Sequence, residues 1–253
     1  MSNADKCILS PHCSQAGGPS CNNLCSSLIA VHGFNGAGGR IAVADVPKEY
    51  TGVTLQNSPA REGQAEAYKV MDAYVNTFKR QFDNEEERIK SLYLYSESPG
   101  TGKTTSASAI LHEYIVRHYI GSLQRDRQPL ERPAYFLDVN AWQTLFLGFN
   151  RCHVPAETAE RYAAEYYAME SRAKVTPFVV LDDIGVRSAT DAFRADLHSI
   201  VNYRVANGLP TVYTSNVAIG DLTQVFDARL ADRVRDMCAV IPFIGSSKRG
   251  IRK

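Results

Sequence analysis

The chain has 253 residues, with 28 basic and 27 acidic side chains, and its net charge is +1 at pH 7. This length allows one large domain, or one domain with a small appendage, and the balanced charge excludes a strongly basic nucleic-acid-binding protein. Apolar residues make up 44% of the chain, which is ordinary for a globular core. No apolar run reaches the roughly 20 residues that span a bilayer, and the start lacks a signal-peptide pattern. We therefore expect a cytoplasmic protein with no membrane partner.

The start of the chain is rich in cysteine. In a reducing compartment such a cluster favours a metal site over disulfides. The segment has too little apolar material to fold alone, so a tetrahedral Zn²⁺ would supply the missing stability. We expect residues 1–50 to form a zinc-binding module, in which His12 or His32 could replace one cysteine; a flexible tail with free thiols is the alternative. The simplest ligand set is Cys7, Cys13, Cys21 and Cys25.

Residues 51–90 are expected to form a linker followed by an amphipathic helix. A helix start is predicted at Pro59, with Glu62 in the first turn. Apolar side chains then recur at steps of three and four residues, which predicts packing against the following domain; a partner-binding helix is the alternative. The stripe consists of Tyr68, Met71, Tyr74, Val75, Phe78 and Phe82. A charged loop or helix end is expected from Asp83 to Glu87.

A glycine-rich turn lies between a short apolar run that starts at Leu92 and a segment of helical character. Gly100 and Gly102 allow backbone N–H groups to turn toward one point, where Lys103 adds a charge for the β- and γ-phosphates. Thr104 supplies a hydroxyl for Mg²⁺. Glu97 stands where the G-x-x-x-x-G-K-[ST] pattern has its first glycine. We predict that a nucleoside triphosphate binds to Ser98, Pro99, Gly100, Thr101, Gly102, Lys103, Thr104 and Thr105.

After this turn the chain alternates between apolar strands and helical segments. Such alternation predicts an α/β fold, with a parallel sheet covered by helices on both faces and a ligand site beyond the carboxyl ends of the strands. The later strands are predicted at Ala134–Asp138, Phe178–Asp183, Thr211–Asn216 and Cys238–Phe243, and helices at 156–173, 189–207 and 219–235.

Two carboxylates end the strand that starts at Phe178. Asp182 is placed to hold Mg²⁺, and Asp183 is placed to orient or deprotonate the attacking water. Helix capping is the alternative for such a pair. Asn216 ends the next strand, where its amide could hold the lytic water or sense the leaving phosphate; a turn-forming asparagine is the alternative.

Arg229 and Arg233 lie four residues apart, on one face of a predicted helix. An arginine there could reach the γ-phosphate on a neighbouring subunit as an arginine finger. A solvated face shared with Asp232 and Asp236 is the alternative.

Five segments together resemble the AAA+ replicative helicase loaders of the DnaC/DnaI type and their IstB relatives. They are S-P-G-T-G-K-T-T, F-V-V-L-D-D-I-G, T-V-Y-T-S-N, A-R-L-A-D-R-V and S-K-R-G. The resemblance covers roughly residues 90–253. The cysteine-rich start, followed by the stretch from Gly39 to Tyr50, is similar to phage- and Gram-positive-type loaders that have a metal-binding helicase-contact domain.

The resemblance implies an AAA+ P-loop NTPase domain over residues 91–253, with a minimal lid. Lys103 and Thr104 would belong to Walker A, and Asp182 and Asp183 to Walker B. The resemblance also implies that Asn216 is sensor 1, Arg233 the arginine finger with Arg229 as its neighbour, and Arg249 sensor 2. Asp183 stands where AAA+ enzymes usually have glutamate, so a slow ATPase is expected.

By the same resemblance the chain would bind a hexameric replicative helicase, help to place it on single-stranded DNA and be released by ATP hydrolysis. Copies would associate through their ATP sites, in the bacterial cytoplasm, whether host or phage encoded. An IstB-like transposition regulator and a non-hydrolysing adaptor are the rival functions. Such loaders also contact single-stranded DNA, and Trp142, Phe146, Phe149 and Arg151 are candidate contacts; the helical spacing of the aromatic stripe nevertheless favours core packing over stacking on bases. The basic residues Lys248, Arg249, Arg252 and Lys253 could add phosphate contacts.

Overall fold

A parallel five-stranded sheet, in the order β2-β3-β4-β1-β5, forms the centre of the computed structural model, which describes residues 2–82, 88–185 and 189–247. Each strand lies where the sequence predicts one, although three of them end one residue earlier. The predicted α/β fold is therefore confirmed. The strands are β1 (Ser91–Tyr95), β2 (Ala134–Asp138), β3 (Phe178–Asp182), β4 (Thr211–Ser215) and β5 (Cys238–Pro242).

Helices cover both faces of the sheet. Because strand side chains alternate between faces, Leu94 packs into one core with α3 and α4, whereas Tyr93 packs into the other with α5 to α8. The helices are α1 (Ser26–His32), α2 (Gly39–Val43), α3 (Ala65–Tyr74), α4 (Lys103–Leu123), α5 (Val139–Asn150), α6 (Ala156–Val175), α7 (Asp191–Ala206) and α8 (Ala228–Met237). Short 3₁₀ helices occupy Ala4–Lys6, Ser10–His12, Lys48–Tyr50, Glu62–Gln64, Val75–Phe82 and Ile219–Gln224. In the described ranges, no helix combines the length and the apolar character needed to cross a membrane.

Two predicted helices differ from the structure. The helix start at Pro59 is wrong, because the helical path breaks at Gln64, which has a φ of −137° and a side chain held by the backbone of Ile244. A 3₁₀ turn precedes it, and α3 begins only at Ala65. The helix predicted over 219–235 is interrupted, because the Asp227 side chain accepts a hydrogen bond from Leu230 N and starts α8 afresh. The predicted charged segment at 83–87 lies outside the described residues.

The amphipathic stripe packs against the sheet, as predicted. Phe78 is fully buried and makes edge contacts with Tyr114 of α4 and Phe178 of β3, with ring centroids 5.1 and 5.3 Å apart. Four further members of the stripe are buried in the same core, namely Tyr68, Met71, Tyr74 and Val75.

The cysteine-rich start docks on α4. Its apolar residues Ile8, Val31 and Ile41 pack with Val116 and Tyr119 of that helix. The guanidinium of Arg40 lies 5.1 Å from the Tyr119 ring centre and donates hydrogen bonds to carbonyl oxygens of Ala30, Pro129 and Leu130. The segment thus gains from a neighbouring helix the apolar burial that it lacks by itself.

The structure does not support the predicted zinc site. Cys7, Cys13, Cys21 and Cys25 are free thiols. His32 accepts a hydrogen bond from Ile8 N, and across the residues that the structure describes no three His, Cys, Asp or Glu side chains form a group that could hold a metal ion. What the structure shows for this segment is apolar packing on α4.

The N-terminal segment then leads to the carboxyl end of the sheet. Phe136 N, on the free edge of β2, donates a 2.8 Å hydrogen bond to the carbonyl of Ala44, which covers that edge. Asp45 follows with a φ of 57°, and the chain turns toward residues 47–50. Pro47, Glu49 and Tyr50 line the cleft described next.

Candidate nucleotide-binding site

A cleft of about 600 Å³ opens at the carboxyl ends of the strands, where the segments after β1, β2, β3 and β4 meet. Residues far apart in sequence converge here because the strands are parallel. Nine of the residues that the sequence analysis selected line the cleft: Pro99, Gly100, Gly102, Lys103, Thr104, Thr105, Asp182, Asp183 and Asn216.

The glycine-rich turn has the backbone that a phosphate cradle needs. Gly100 and Gly102 adopt φ angles of 71° and 100°, in a region that side chains disfavour. A Cβ at Gly102 would lie 2.5 Å from the Cβ of Ala60, so the space is also closed to a larger residue. Helix α4 begins at Lys103 and directs its positive end into the cleft, which fits a polyphosphate.

Lys103 and Asn216 meet inside the cleft. The Lys103 ammonium is largely buried and donates to Asn216 Oδ1 at 2.6 Å. It also donates to the carbonyl oxygens of Ser96 and Ser98, at 3.4 and 3.3 Å. These acceptors offset the cost of burying a charge. Both predicted residues are therefore placed where a terminal phosphate could reach them.

Asp182 is buried at the end of β3. One carboxylate oxygen accepts from the Thr104 hydroxyl at 3.2 Å and the other from the Thr214 hydroxyl at 2.7 Å. Burial raises the pKa of Asp182 to about 6; the two hydroxyl bonds lower it in part, and the nearby carboxylates of Asp138 and Asp183 raise it further. A carboxylate beside a hydroxyl is an oxygen ligand set of the kind that Mg²⁺ prefers, so these residues fit that ion.

Asp183 has a left-handed backbone, with a φ of 57°. Its N–H donates to the Thr214 hydroxyl at 2.8 Å, and its Oδ2 accepts from Asn140 Nδ2 at 2.9 Å. Asn140 lies in the first turn of α5, which Asp138 caps by accepting from Asn140 N and Ala141 N. The Asp183 carboxylate is thus held by two neighbouring elements within the cleft.

Sequence reasoning missed Asp138, Asn140 and Thr214. Asp138 ends β2, Asn140 follows two residues later, and Thr214 is the penultimate residue of β4. The rule that located Asp182 and Asn216, namely that polar side chains at adjacent strand ends converge, applies to these residues equally. It would have found them. Glu49 and Tyr50, which also line the cleft, carry no such signal because they come from the distant N-terminal segment.

Glu97 does not line the cleft. Its side chain is exposed and accepts a hydrogen bond from the Tyr95 hydroxyl at 3.2 Å. Its negative charge therefore lies outside the cleft. Two other predicted binding residues act through their backbone instead: the Ser98 carbonyl accepts from Lys103, and the Thr101 carbonyl accepts from Gln64.

Arg233 lies away from the cleft of its own subunit. It donates to Asn202 of α7 at 2.9 Å, while Arg229 is exposed one turn earlier on α8. Arg249, predicted as sensor 2, falls outside the described residues, as do Lys248, Arg252 and Lys253.

The core packing that the spacing of the aromatic stripe favours is confirmed for Trp142, and its candidate base-stacking role is wrong. The side chain is fully buried, its indole N–H donates to the Tyr166 carbonyl at 3.1 Å, and its ring stacks on Tyr166 at 4.6 Å. Phe146 and Phe149 are half-buried against the same aromatic cluster. The stripe is therefore core packing, and among the four candidate contacts on this helix and the loop after it only Arg151 is exposed.

The replicative helicase loader DnaI of Bacillus subtilis (strain 168) is 25% identical to the chain over 196 residues, which are 71% of the chain and 53% of the loader. The chain resembles the helicase loaders of the DnaI and DnaC type. The alignment spans about half the length of that curated loader. No protein-family model matches the chain.

Two loader structures share the fold. The crystal structure of DnaI, at 22% identity, covers 81% of the chain and 95% of its own, with a TM-score of 0.52. The crystal structure of the DnaC helicase loader, at 21% identity, covers 78% of the chain and all of its own, with a TM-score of 0.54. The chain thus shares the fold of these two structures.

Proposed function

We propose that the chain is an ATP-dependent loader that binds a hexameric replicative helicase, helps to place it on single-stranded DNA and is released on hydrolysis. The observation that carries this proposal is the convergence of Lys103, Thr104, Asp182, Asp183 and Asn216 in one cleft. Similarity to the B. subtilis loader supports the choice of partner. The proposed division is a helicase-contact segment at 1–50, a linker and helix at 51–90 and an ATPase domain at 91–253, in a protein of the bacterial cytoplasm.

Each residue in the cleft has a proposed part in a slow ATPase reaction. The turn from Ser98 to Thr105 holds the phosphates, and Lys103 neutralises their charge. Thr104 and Asp182 would hold Mg²⁺, which supplies charge neutralisation at the transferring phosphoryl group. Asp183 orients the attacking water and accepts its proton, and Asn216 contacts the same water or the leaving phosphate.

The arginines of α8 act between copies in this proposal. Arg233 does not line the cleft of its own subunit, which suits a finger that reaches the γ-phosphate bound by a neighbour. Arg229 supports it from the same face. Copies would associate through these ATP sites, and Arg249 would act as sensor 2.

The hydrogen bond from Asn140 to the Asp183 carboxylate favours a second candidate function, a nucleotide-dependent adaptor that does not hydrolyse ATP. An asparagine that held the carboxylate away from water throughout the cycle would abolish turnover. Steady-state ATPase rates of the wild type and of Asp183→Ala separate the two: a much slower variant supports the loader, and equal near-zero rates support the adaptor.

Partner binding is tested by co-purification with a hexameric replicative helicase, with and without ATP and with and without residues 1–50. We expect a complex that needs both the nucleotide and those residues. An IstB-like regulator would instead bind double-stranded DNA and leave the helicase unbound.

A further inference from the structure

The side-chain amide of Gln64 joins the glycine-rich turn to the chain that follows β5. Gln64 is only 5% exposed. Its Nε2 donates to the carbonyl oxygens of Ile244 at 2.7 Å and of Thr101 at 3.3 Å, and its Oε1 accepts from Ile244 N at 3.1 Å. Both N–H bonds of the amide and its oxygen are therefore in use, which fixes the side chain in one orientation.

The two backbone segments that Gln64 joins lie at opposite ends of the glycine-rich turn. The turn begins after Tyr95, the last residue of β1, and Phe243 N donates to the Tyr95 carbonyl at 2.6 Å. Ile244 is the next residue in the chain. Thr101 lies at the other end of the turn, two residues before α4 begins. Gln64 thus connects the two ends of the turn from outside the cleft, which its side chain does not line.

Neighbouring side chains hold the segment that contains Gln64 against the same turn. A Cβ at Gly102 would lie 2.5 Å from the Cβ of Ala60, so these backbones approach closely. The Tyr68 hydroxyl lies 2.9 Å from the Ser106 hydroxyl, in the first turn of α4. Ala60, Gln64 and Tyr68 follow one another at intervals of four residues. This segment therefore supports the glycine-rich turn, and Gln64 supplies the hydrogen bond to its backbone.

The hydrogen bond to the Thr101 carbonyl sets the direction of the next N–H group. In a trans peptide the C=O and the following N–H point in opposite directions. Because Gln64 holds the Thr101 carbonyl on its own side, the Gly102 N–H is turned to the other side, and Gly102 lines the cleft. Backbone N–H groups that point into a concave site bind anions. Gln64 therefore orients a candidate phosphate donor.

We propose that Gln64 is a positioning residue for nucleotide binding. It holds the peptide between Thr101 and Gly102 with the N–H directed at the cleft before a phosphate arrives, so binding does not have to supply the cost of ordering that peptide. The two hydrogen bonds with Ile244 keep the amide in place. The inference rests on the nucleotide site of the proposed function and does not depend on the helicase partner.

Calorimetric titration of the full-length chain with ATP and Mg²⁺ tests this role in Gln64→Met. Methionine keeps the length and burial of the side chain but has no amide. We expect the Kd for ATP to rise about tenfold, because the peptide is then free to rotate. The kcat at saturating ATP should stay close to that of the wild type, because Asp183 and Asn216 are held by other contacts.

Gln81→Met is the matched control. Gln81 is half-buried, donates to the Phe78 carbonyl at 2.8 Å and lies 2.8 Å from His118 Nδ1, so this change also removes hydrogen bonds of a glutamine, away from the turn. Both variants should be less stable than the wild type, but only Gln64→Met should change the Kd. Wild-type affinity in Gln64→Met, or an equal rise of Kd in both variants, would overturn the role and leave the proposed function intact.

Amide hydrogen exchange gives a second measurement, on the nucleotide-free chain. The Ile244 N–H should exchange at least about tenfold faster in Gln64→Met than in the wild type, and at the wild-type rate in Gln81→Met. Unchanged exchange in Gln64→Met would overturn the inference. A wild type that binds no ATP would contradict both the proposed function and this role. A chain that shows the expected Kd values but binds no helicase would contradict the loader function alone.

Discussion

Asn140 Nδ2 lies 2.9 Å from Asp183 Oδ2 and so ties the first turn of α5 to the carboxylate that follows β3. Asp183 also has a left-handed backbone, which the Thr214 hydroxyl supports by accepting its N–H. The carboxylate position is therefore set by contacts outside its own strand. Asn140 is a positioning residue for the proposed general base.

We predict that Asn140→Ala lowers kcat for ATP hydrolysis about tenfold, because a general base is effective only when it is oriented toward the water. KM for ATP should change little, since Asn140 contacts the base and not the phosphate loop. Asn150→Ala, at the opposite end of the same helix, is the matched control. A large rise in KM with unchanged kcat would show that Asn140 binds nucleotide instead.

The raised pKa of Asp182 predicts a pH dependence of stability. The folded-state pKa is about 6 against an ordinary value of 3.8, so the folded state binds this proton more tightly than the unfolded state. The stabilisation that comes from this bound proton is fully present below pH 3.8 and is lost as the pH rises through about 6. About two pKa units correspond to about 3 kcal/mol. Asp182→Asn should remove this dependence and stabilise the nucleotide-free protein at pH 7.

Urea unfolding of wild type and Asp182→Asn across that pH range measures the effect. With Mg²⁺ and ATP the order should reverse, since only the carboxylate binds the ion well. Equal free energies of unfolding of the two proteins at pH 7 without nucleotide would show that the ionised Asp182 carboxylate does not destabilise the folded state.

Arg204 is a buried cation that holds the amino-terminal ends of β3 and β4 next to the end of α6. It is 0% exposed, and burial lowers the pKa of its guanidinium to about 10. Its acceptors are the Thr211 hydroxyl and the carbonyl oxygens of Ala173, Lys174, Thr176, Pro177 and Pro210.

We predict that Arg204→Met destabilises the protein by about 3–5 kcal/mol, because it leaves several buried carbonyls without a donor. Arg194→Met, on the exposed face of the same helix, should change the free energy of unfolding by less than about 0.5 kcal/mol. Chemical denaturation of both variants gives the comparison. Similar losses of unfolding free energy in the two variants would mean that the buried hydrogen bonds of Arg204 contribute little to stability.

The docking of the cysteine-rich start on α4 predicts its response to chelation. EDTA should leave the thermal unfolding of the nucleotide-free chain unchanged, since apolar contacts hold the segment. Ile41→Ala, which removes a buried side chain from that contact, should cost about 3 kcal/mol. A marked loss of stability with EDTA would contradict the structure and restore the case for a metal.

The core strands and the glycine-rich turn before α4 were predictable because their signals are local. Four apolar residues before Asp182 predict a strand, and the glycines before Lys103 predict a turn, from a few neighbouring positions alone. Parallel pairing then brings those strand ends together without further information from the sequence.

Other features depend on contacts between distant segments. The zinc prediction considered residues 1–50 without the rest of the chain. The apolar partners of that segment, Val116 and Tyr119, lie on α4. The helix start at Pro59 failed because Gln64 leaves the helical path and binds the distant Ile244 backbone. The spacing around Trp142 correctly indicated a helix, but spacing cannot tell whether the stripe faces a core or a ligand.

The most direct test of the account is calorimetric titration of the wild type and Lys103→Ala with ATP in the presence of Mg²⁺. The Lys103 ammonium lies inside the cleft, where it donates a hydrogen bond to Asn216. Replacing Lys103 with alanine therefore removes the positive charge that is proposed to bind the phosphates. We expect saturable binding to the wild type and none detectable to Lys103→Ala. Equal affinity of the two proteins, or no binding to a folded wild type, would contradict it.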